Sequence, residues 1–361
     1  MSVSTKQTAV PASGFNPVAA AADFHGERLD GRSRLKEFAQ ELLLCELAPT
    51  IGVEKLAFLG EGAFSFAFEG NSNEHGAVVI KVVSPYSFSL GEGSYEARVN
   101  SYQREFERLA LAHSSGVACP KPIAVGTLDA AHTDGGPAYM VQQRLQGESF
   151  QFSKHGAPEF YAKLGRLVAS LHRVPVTSYE IWENGALRPE PNGPIALGQE
   201  VNVGRVQQVA KASSLDSKVV EYLGSAYLEA LRRGPQPTFV HGDLGPQNIF
   251  VGPEVNPALL DFGFAAFRAT GGSDISRIRV ALLWEDSSAG DARWQSFLDG
   301  YRSLNPERLE HFSPGIRFEM LCAALEVPNW CVREPERKES LIKRSKELVD
   351  AIVNGCPLEF L

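Results

Sequence analysis

The sequence predicts an α+β fold divided between two lobes. Runs that alternate apolar and polar residues, the mark of half-buried strands, are concentrated from Glu54 to about Gly147, whereas apolar residues at helical spacing dominate from Phe160 to the C-terminus. A further set of apolar runs, Phe239-Val240, Ile249-Phe250-Val251 and Ala258-Leu259-Leu260, brackets short polar loops that carry acids. The chain has 361 residues, 43% hydrophobic and 22% charged, enough apolar material for two lobes. Its net charge of -8 implies no general affinity for nucleic acid or anionic membrane and suits a neutral or cationic partner better than a polyanion. Cys45, Cys119, Cys322, Cys331 and Cys356 are scattered, with no C-x-x-C pair, which favours reduced, buried thiols over a disulfide frame or a zinc site. No apolar run approaches the roughly 20 residues that cross a bilayer. The N-terminus lacks a basic region followed by an apolar one, so the expected location is the cytoplasm.

Residues 1–30 are rich in Ala, Ser, Thr, Pro and Gly and poor in large apolar side chains, which predicts a flexible extension. Such leaders also occur on bacterial proteins delivered into host cells, a second use for this segment. From Ser33 to Leu47, Leu35, Phe38, Leu42, Leu43 and Cys45 have helical spacing, and Pro49 predicts the stop. Residues 54–70 read as two strands around Gly60-Glu61-Gly62-Ala63-Phe64-Ser65, a hairpin tip whose main-chain N–H groups can approach phosphate oxygens, or simply a tight turn. Ala77-Val78-Val79-Ile80-Lys81-Val82-Val83 is an apolar strand with one lysine in its middle. A charge buried there needs a partner, unless the strand is an edge and Lys81 reaches solvent. A helix from about Tyr95 to His113 carries Glu96, Glu105 and Glu107, and spacing alone leaves all three open as that partner. Phe160 to Val174 is amphipathic and is stopped by Pro175. A polar stretch from Thr177 to Pro237 contains a helix near 217–232, and helical patterns resume at Phe297, Tyr301 and Leu304 and again at Leu341, Ile342, Leu348 and Ile352.

The chemistry concentrates at His241-Gly242-Asp243-Leu244-Gly245-Pro246-Gln247-Asn248 and at Asp261-Phe262-Gly263. Buried strands on either side of these loops would carry Asp243, Asn248 and Asp261 to one edge of the core. Two carboxylates and an amide so placed suit phosphoryl transfer: one acid orients the attacking hydroxyl, while the amide and the second acid hold Mg²⁺ against nucleotide phosphates. The plain alternative is a hairpin with acidic tips.

H-G-D-x-x-x-x-N followed by D-F-G resembles the catalytic and metal loops of the protein-kinase-like superfamily, and the His-Gly-Asp opening is closer to its aminoglycoside phosphotransferase and choline kinase branch. That resemblance implies a bilobal fold with a small antiparallel-sheet N-lobe at residues 31–145 and a mainly helical C-lobe at 146–361. It implies Asp243 as catalytic base, Asn248 and Asp261 as Mg²⁺ ligands, and Gly60, Gly62, Ala63, Phe64 and Ser65 as the cover over the phosphates of ATP, with Ser65 where the pattern has a third glycine. Lys81 would hold the α- and β-phosphates. Arg104 to Ala110 followed by Gly116-Val117-Ala118-Cys119-Pro120-Lys121-Pro122-Ile123 is similar to a pattern shared with RIO kinases, and it selects Glu105 to pair with Lys81. Ala138 to Gly147 looks like the inter-lobe hinge, with main-chain groups from Gln143 to Leu145 toward adenine. By the same resemblance Asp274 braces the catalytic loop, although an ordinary helix N-cap reads equally well from the residues. His172 is expected to pack and hydrogen-bond.

Only about a dozen residues separate Asp261 from Asp274, and no Ala-Pro-Glu follows. A long peptide-docking segment is therefore not expected, which favours a small-molecule hydroxyl acceptor such as an aminoglycoside, choline, a sugar or an amino alcohol. Two other functions remain from the sequence: an atypical Ser/Thr protein kinase, including a bacterial effector, and a nucleotide-binding pseudokinase. Glu285, Asp286 and Asp291 would attract a cationic acceptor or form a solvated loop.

Overall fold

The computed structural model describes residues 37, 39–41, 43–61, 65–83, 95–128, 138–175, 180–183, 186–189, 225, 237–268, 271–283, 287–330 and 338–358. The leader at 1–30, all but residue 225 of the helix expected at 217–232, Glu285, Asp286 and Cys331 lie outside them. The chain forms two compact units, residues 1–103 with 123–144 and residues 104–122 with 145–361. This differs from a single cut after residue 145. Residues 104–122 join the second unit through contacts distant in sequence: Leu259 N–H donates to the Ala118 carbonyl at 2.9 Å, and the Arg108 guanidinium lies 4.7 Å from the centre of the Phe267 ring.

The first unit is a five-stranded sheet in the order β1-β2-β3-β5-β4, with β1 Val53–Glu61, β2 Ser65–Ser72, β3 Gly76–Val83, β4 Pro122–Thr127 and β5 Ala138–Gln143. β1–β2, β2–β3 and β3–β5 pair antiparallel. Side chains alternate across a pleated strand, so Phe66 and Phe68 with Val78, Ile80 and Val82 share a buried face packed on Leu43, Leu47 and Ile51. The helical segment that supplies those residues passes through Pro49 instead of stopping before it. Leu43–Leu47 is a π-helical turn, and Pro49 falls in the first turn of a new helical stretch, Ala48–Ile51, where its missing N–H costs nothing.

The second unit is mainly helical, with α1 Tyr95–Ser114 entering it from the first, then α2 Pro158–Leu171, α3 Gly272–Leu283, α4 Ser287–Arg302, α5 Pro306–Trp330 and α6 Lys338–Val353. β6 Glu148–Ser149 joins a small sheet below, and β7 Glu180–Glu183 pairs with β8 Ala186–Pro189. Two further ladders are built from β9 Thr238–Val240, β10 Ile249–Gly252, β11 Asn256–Leu259 and β12 Ala266–Arg268. The helical core holds Trp294, Phe297, Tyr301, Phe312 and Phe318, all fully buried. Trp294 Nε1–H donates to the Leu358 carbonyl at 2.9 Å and ties the end of the chain to α4. Cys119, Cys322 and Cys356 are free thiols; burial pushes the Cys119 thiol up to about 12, so it is an inert packing group. No helix among the described residues is long and apolar enough to cross a membrane.

α2 and α4 approach closely enough that their backbones touch through glycine. A Cβ on Gly165 would stand 2.0 Å from the Phe297 carbonyl oxygen and 2.8 Å from the Tyr301 nitrogen; one on Gly300 would stand 2.0 Å from the Ala162 carbonyl oxygen. The obstructing atoms are backbone, so the helices themselves must separate. Gly165→Ala and Gly300→Ala are each expected to destabilise the second unit by about 2–3 kcal/mol through overpacking, read as a lower urea midpoint with unchanged slope.

Candidate active site

The two loops that carry the acids meet because of strand pairing. β9 pairs antiparallel with β12, Val240 opposite Ala266, and β10 pairs antiparallel with β11, Ile249 opposite Leu259. The loop 241–248 runs from the end of β9 to the start of β10, and the loop 260–265 from the end of β11 to the start of β12. Both therefore lie at the same end of the two ladders. Hydrogen bonds then lock them together. His241 Nε2–H donates to the Leu260 carbonyl at 2.7 Å, and Leu260 N–H donates to the Asn248 carbonyl at 2.9 Å. A carbonyl can only accept, so the His241 hydrogen is on Nε2, and Nδ1 is left to accept the Asp243 N–H at 3.3 Å.

Asp243 and Asn248 are in contact. Asn248 Nδ2 donates to the Asp243 carbonyl at 2.8 Å and to its Oδ2 at 3.1 Å, which leaves the Asn248 Oδ1 end as its oxygen donor. Asn248 is buried at the end of a single 3₁₀ turn, Pro246–Asn248, whereas the Asp243 side chain is 31% exposed. Asp261 stands one residue beyond Leu260, exposed, with φ +59° and its Oδ1 accepting the Gly263 N–H at 3.3 Å. Asp tolerates this left-handed conformation better than most residues, and such strain is characteristic of ligand-holding positions. Glu105, on α1, is buried, and its Oε2 lies 3.7 Å from where a Cβ on Gly263 would stand; Asp261 Oδ1 lies 3.2 Å from the same point. Two carboxylates thus flank one glycine. Of the other two candidates on α1, Glu107 is exposed and the Glu96 side chain is outside the described residues.

α3 supports the whole arrangement from beneath. Asp274 is fully buried in its first turn. Its carboxylate does not cap its own helix: Oδ2 accepts the His241 N–H at 2.8 Å and Oδ1 the Gly242 N–H at 2.9 Å. His172, also fully buried, reaches the same Oδ2 with Nε2 at 3.2 Å, and its Nδ1 is 2.8 Å from the Tyr301 hydroxyl. An ionised carboxylate only accepts, so His172 donates from Nε2. Burial acts to raise the Asp274 pKa, but its hydrogen bonds from the His172 ring and the His241 N–H, with the electrostatic pull of the two imidazoles, outweigh it and hold the carboxyl below the ordinary carboxylate range. Gly242 takes φ +79°, and a Cβ there would meet the Phe264 carbonyl oxygen at 2.2 Å, so this position admits only glycine.

The remaining sequence-predicted residues, Leu145 excepted, belong to the first unit. Gly60 is half-buried near the end of β1; Gly62, Ala63 and Phe64 lie outside the described residues; Ser65 opens β2 opposite Val83. Lys81 sits on β3 between Ala67 and Met140, on the face opposite the Phe66–Phe68 core, and is half-buried, neither sunk in the core nor on an edge strand. Gln143 ends β5 opposite Val78, and the Arg144 N–H is used by the Ala77 carbonyl at 2.9 Å. Leu145 is half-buried at the start of the second unit's long segment. Sequence reasoning missed Arg277, whose Nη1 donates to Asp243 Oδ1 at 2.5 Å. Its signal was there to read: it stands three residues after Asp274, on the same face of α3.

Two loops locked by hydrogen bonds and braced by a buried Asp on a helix bring Asp243, Asn248 and the Asp261 loop together within the second unit. The chain belongs to the phosphotransferase enzyme family, whose profile matches residues 70–268, over half of its length. Similar solved structures include aminoglycoside 2'-phosphotransferase-IIIa in its GDP complex, with a TM-score of 0.53 and 15% identity over 88% of this chain and 98% of that one. Amicoumacin kinase hAmiN in complex with AMP-PNP, Ca²⁺ and Ami has a TM-score of 0.53 and 14% identity over 90% and 97% of the two chains. Choline kinase from Cryptosporidium parvum Iowa II has a TM-score of 0.50 and 13% identity over 88% and 97%. At these identities the likeness is one of fold.

Asp274→Asn puts an NH₂ against a backbone N–H and leaves that donor unpaired, at an expected cost of about 1–3 kcal/mol at pH 7. Because the folded pKa is depressed, the stabilisation is complete above the unfolded value of about 3.9 and is lost as pH falls through the lower folded value. Urea unfolding of both proteins from pH 7 down to pH about 2.5 should show the gap between them narrowing on the acid side.

Proposed function

We propose that this protein transfers the γ-phosphoryl group of Mg·ATP to a hydroxyl of a small molecule. The observation that carries the reading is the locked pair of loops, with Asp243 and Asn248 in contact and Asp261 fixed one residue from the hydrogen bonds that join them. In this reading Asp243 accepts or orients the proton of the acceptor hydroxyl. Asn248 Oδ1 and Asp261 are hard oxygen donors, too few for an all-protein cage and suited to an ion that completes its shell with phosphate and water, as Mg²⁺ does. Among the described residues no cluster of three His, Cys, Asp or Glu forms a metal site by itself, in keeping with a metal that arrives with the nucleotide. Bound there, the metal supplies charge neutralisation of the phosphates. Lys81, paired with Glu105, positions those phosphates; the buried Glu105 beside Gly263 and Asp261 supports its part in this. Gly60 to Ser65 cover them, and the main chain from Gln143 to Leu145 receives the base.

A small acceptor fits the short path from Asp261 to α3. Only ten residues, 262–271, separate Asp261 from α3 in sequence, and β12 takes up three of them, which supports a site without a peptide-docking segment. The neighbours point the same way, since the amicoumacin kinase complex holds AMP-PNP, Ca²⁺ and Ami. A cytoplasmic location agrees with this chemistry and is proposed with it.

Incubation with γ-labelled ATP or GTP and Mg²⁺, alone, with aminoglycosides, choline, sugars and amino alcohols, and with a cell lysate, tests the proposal. Label on a small molecule is the expected result; label confined to protein bands would replace it with a protein kinase, and no transfer with intact nucleotide binding would make the chain a pseudokinase. Asp243→Ala should lower transfer by a factor of about 10²–10⁴ with little change in nucleotide affinity. Asp261→Asn should weaken nucleotide binding by calorimetry when Mg²⁺ is present and leave it unchanged in EDTA.

A further inference from the structure

A single face of α3 reaches three successive residues of the catalytic loop. Asp274 accepts the N–H groups of His241 and Gly242, and Arg277, three positions along the same face, donates from Nη1 to Asp243 Oδ1 at 2.5 Å. The other oxygen of that carboxylate, Oδ2, takes Asn248 Nδ2 at 3.1 Å. Each oxygen is thus held by a different donor, and the carboxylate cannot turn about its Cβ–Cγ bond without breaking one contact. The pair is half exposed, at 45% for Arg277 and 31% for Asp243, so it adds little to folding stability. Its consequence is geometric.

We propose that Arg277 is a positioning residue for phosphoryl transfer, its guanidinium fixing the Asp243 carboxylate in the orientation from which the acceptor hydroxyl is aligned. The inference rests on Asp243 as the group that handles the acceptor proton, as set out above. Phosphoryl transfer asks the protein mainly for placement, and a misplacement of about 1 Å can cost on the order of 10² in rate. A carboxylate tied at one oxygen only would sample rotamers that the doubly tied one does not. Guanidinium suits the task because it is planar, permanently charged and fork-shaped; an ammonium in its place is a point charge that fixes direction less well.

The acceptor being unidentified, water serves as the probe: labelled phosphate released from γ-labelled ATP with Mg²⁺ is followed for the full chain. Arg277→Ala is expected to lower the rate at saturating nucleotide by about tenfold or more, with the KM for Mg·ATP within about twofold. Arg277→Lys should recover part of the loss, and Arg277→Gln less, while all three keep the urea midpoint of the parent. In an Asp243→Asn background Arg277→Ala should cause no further loss. A rate equal to or above the parent's in Arg277→Ala, a change in KM alone, or independent losses in the double variant would overturn the proposal. Should the parent itself release no phosphate and phosphorylate no acceptor in the panel above, the phosphotransferase reading falls and takes this inference with it, an outcome distinct from an active parent indifferent to Arg277.

Discussion

The buried carboxylate of Asp274 is the constraint from which the rest of the site follows. An ion with no solvent contact is tolerated only when its lone pairs are filled, and here two main-chain N–H groups and the His172 ring fill them. Those two N–H groups are consecutive, on His241 and Gly242. Both can aim at one carboxylate only if the chain turns sharply between them, which is what φ +79° at Gly242 provides. The turn in its own right brings Gly242 against the Phe264 carbonyl and so sets the spacing between the two loops. His241, with its main-chain N–H held by Asp274, points its ring at Leu260 and its Nδ1 at the Asp243 amide. One anion thereby orients the Asp243 loop directly and the Asp261 loop at second hand.

That anion is itself anchored in the helical core. His172, at the end of α2, links it to Tyr301 on α4, and the Asn305 side chain just beyond donates to the Ala169 carbonyl at 2.7 Å. α2 and α4 are the helices whose backbones touch at Gly165 and Gly300. The tight crossing leaves little freedom for the His172–Tyr301 pair, so the position of a catalytic loop on the edge of the unit is fixed by helix packing in its interior. A purely apolar plug in place of this chain could fill the volume, but it would offer no directional bond to the loop amides.

Much of this was legible in the sequence because its determinants are local. Period-two alternation gave β1 and β2, and the apolar run Ala77–Val83 gave β3, each within two residues, and two short polar loops between buried strands gave the meeting of Asp243, Asn248 and the Asp261 loop. What was not legible depended on contacts remote along the chain. The assignment of residues 104–122 to the second unit follows from Arg108 on Phe267 and Ala118 on Leu259, pairings that no local pattern announces. Pro49 was misjudged because a proline that ends one helix also begins another, and only the π-turn before it decides between them. Lys81 was placed on the correct strand but imagined as buried; the opposite faces of β3 differ, and the sequence Val79-Ile80-Lys81-Val82 is apolar on both. Arg277 is an ordinary helix arginine until Asp274 fixes which face of α3 looks at the loop.

These observations assign different work to the two units. The groups proposed to act on the acceptor and the metal, Asp243, Asn248 and Asp261, are held by hydrogen bonds within the second unit, through α3 and the two ladders, with the buried Glu105 of α1 beside them. In the first unit Lys81 stands on a sheet face whose opposite side is filled by aromatic and β-branched residues. Phosphoryl transfer needs little covalent participation from the protein and much preorganisation, and a loop fixed by a buried anion meets that need without asking anything of the acceptor.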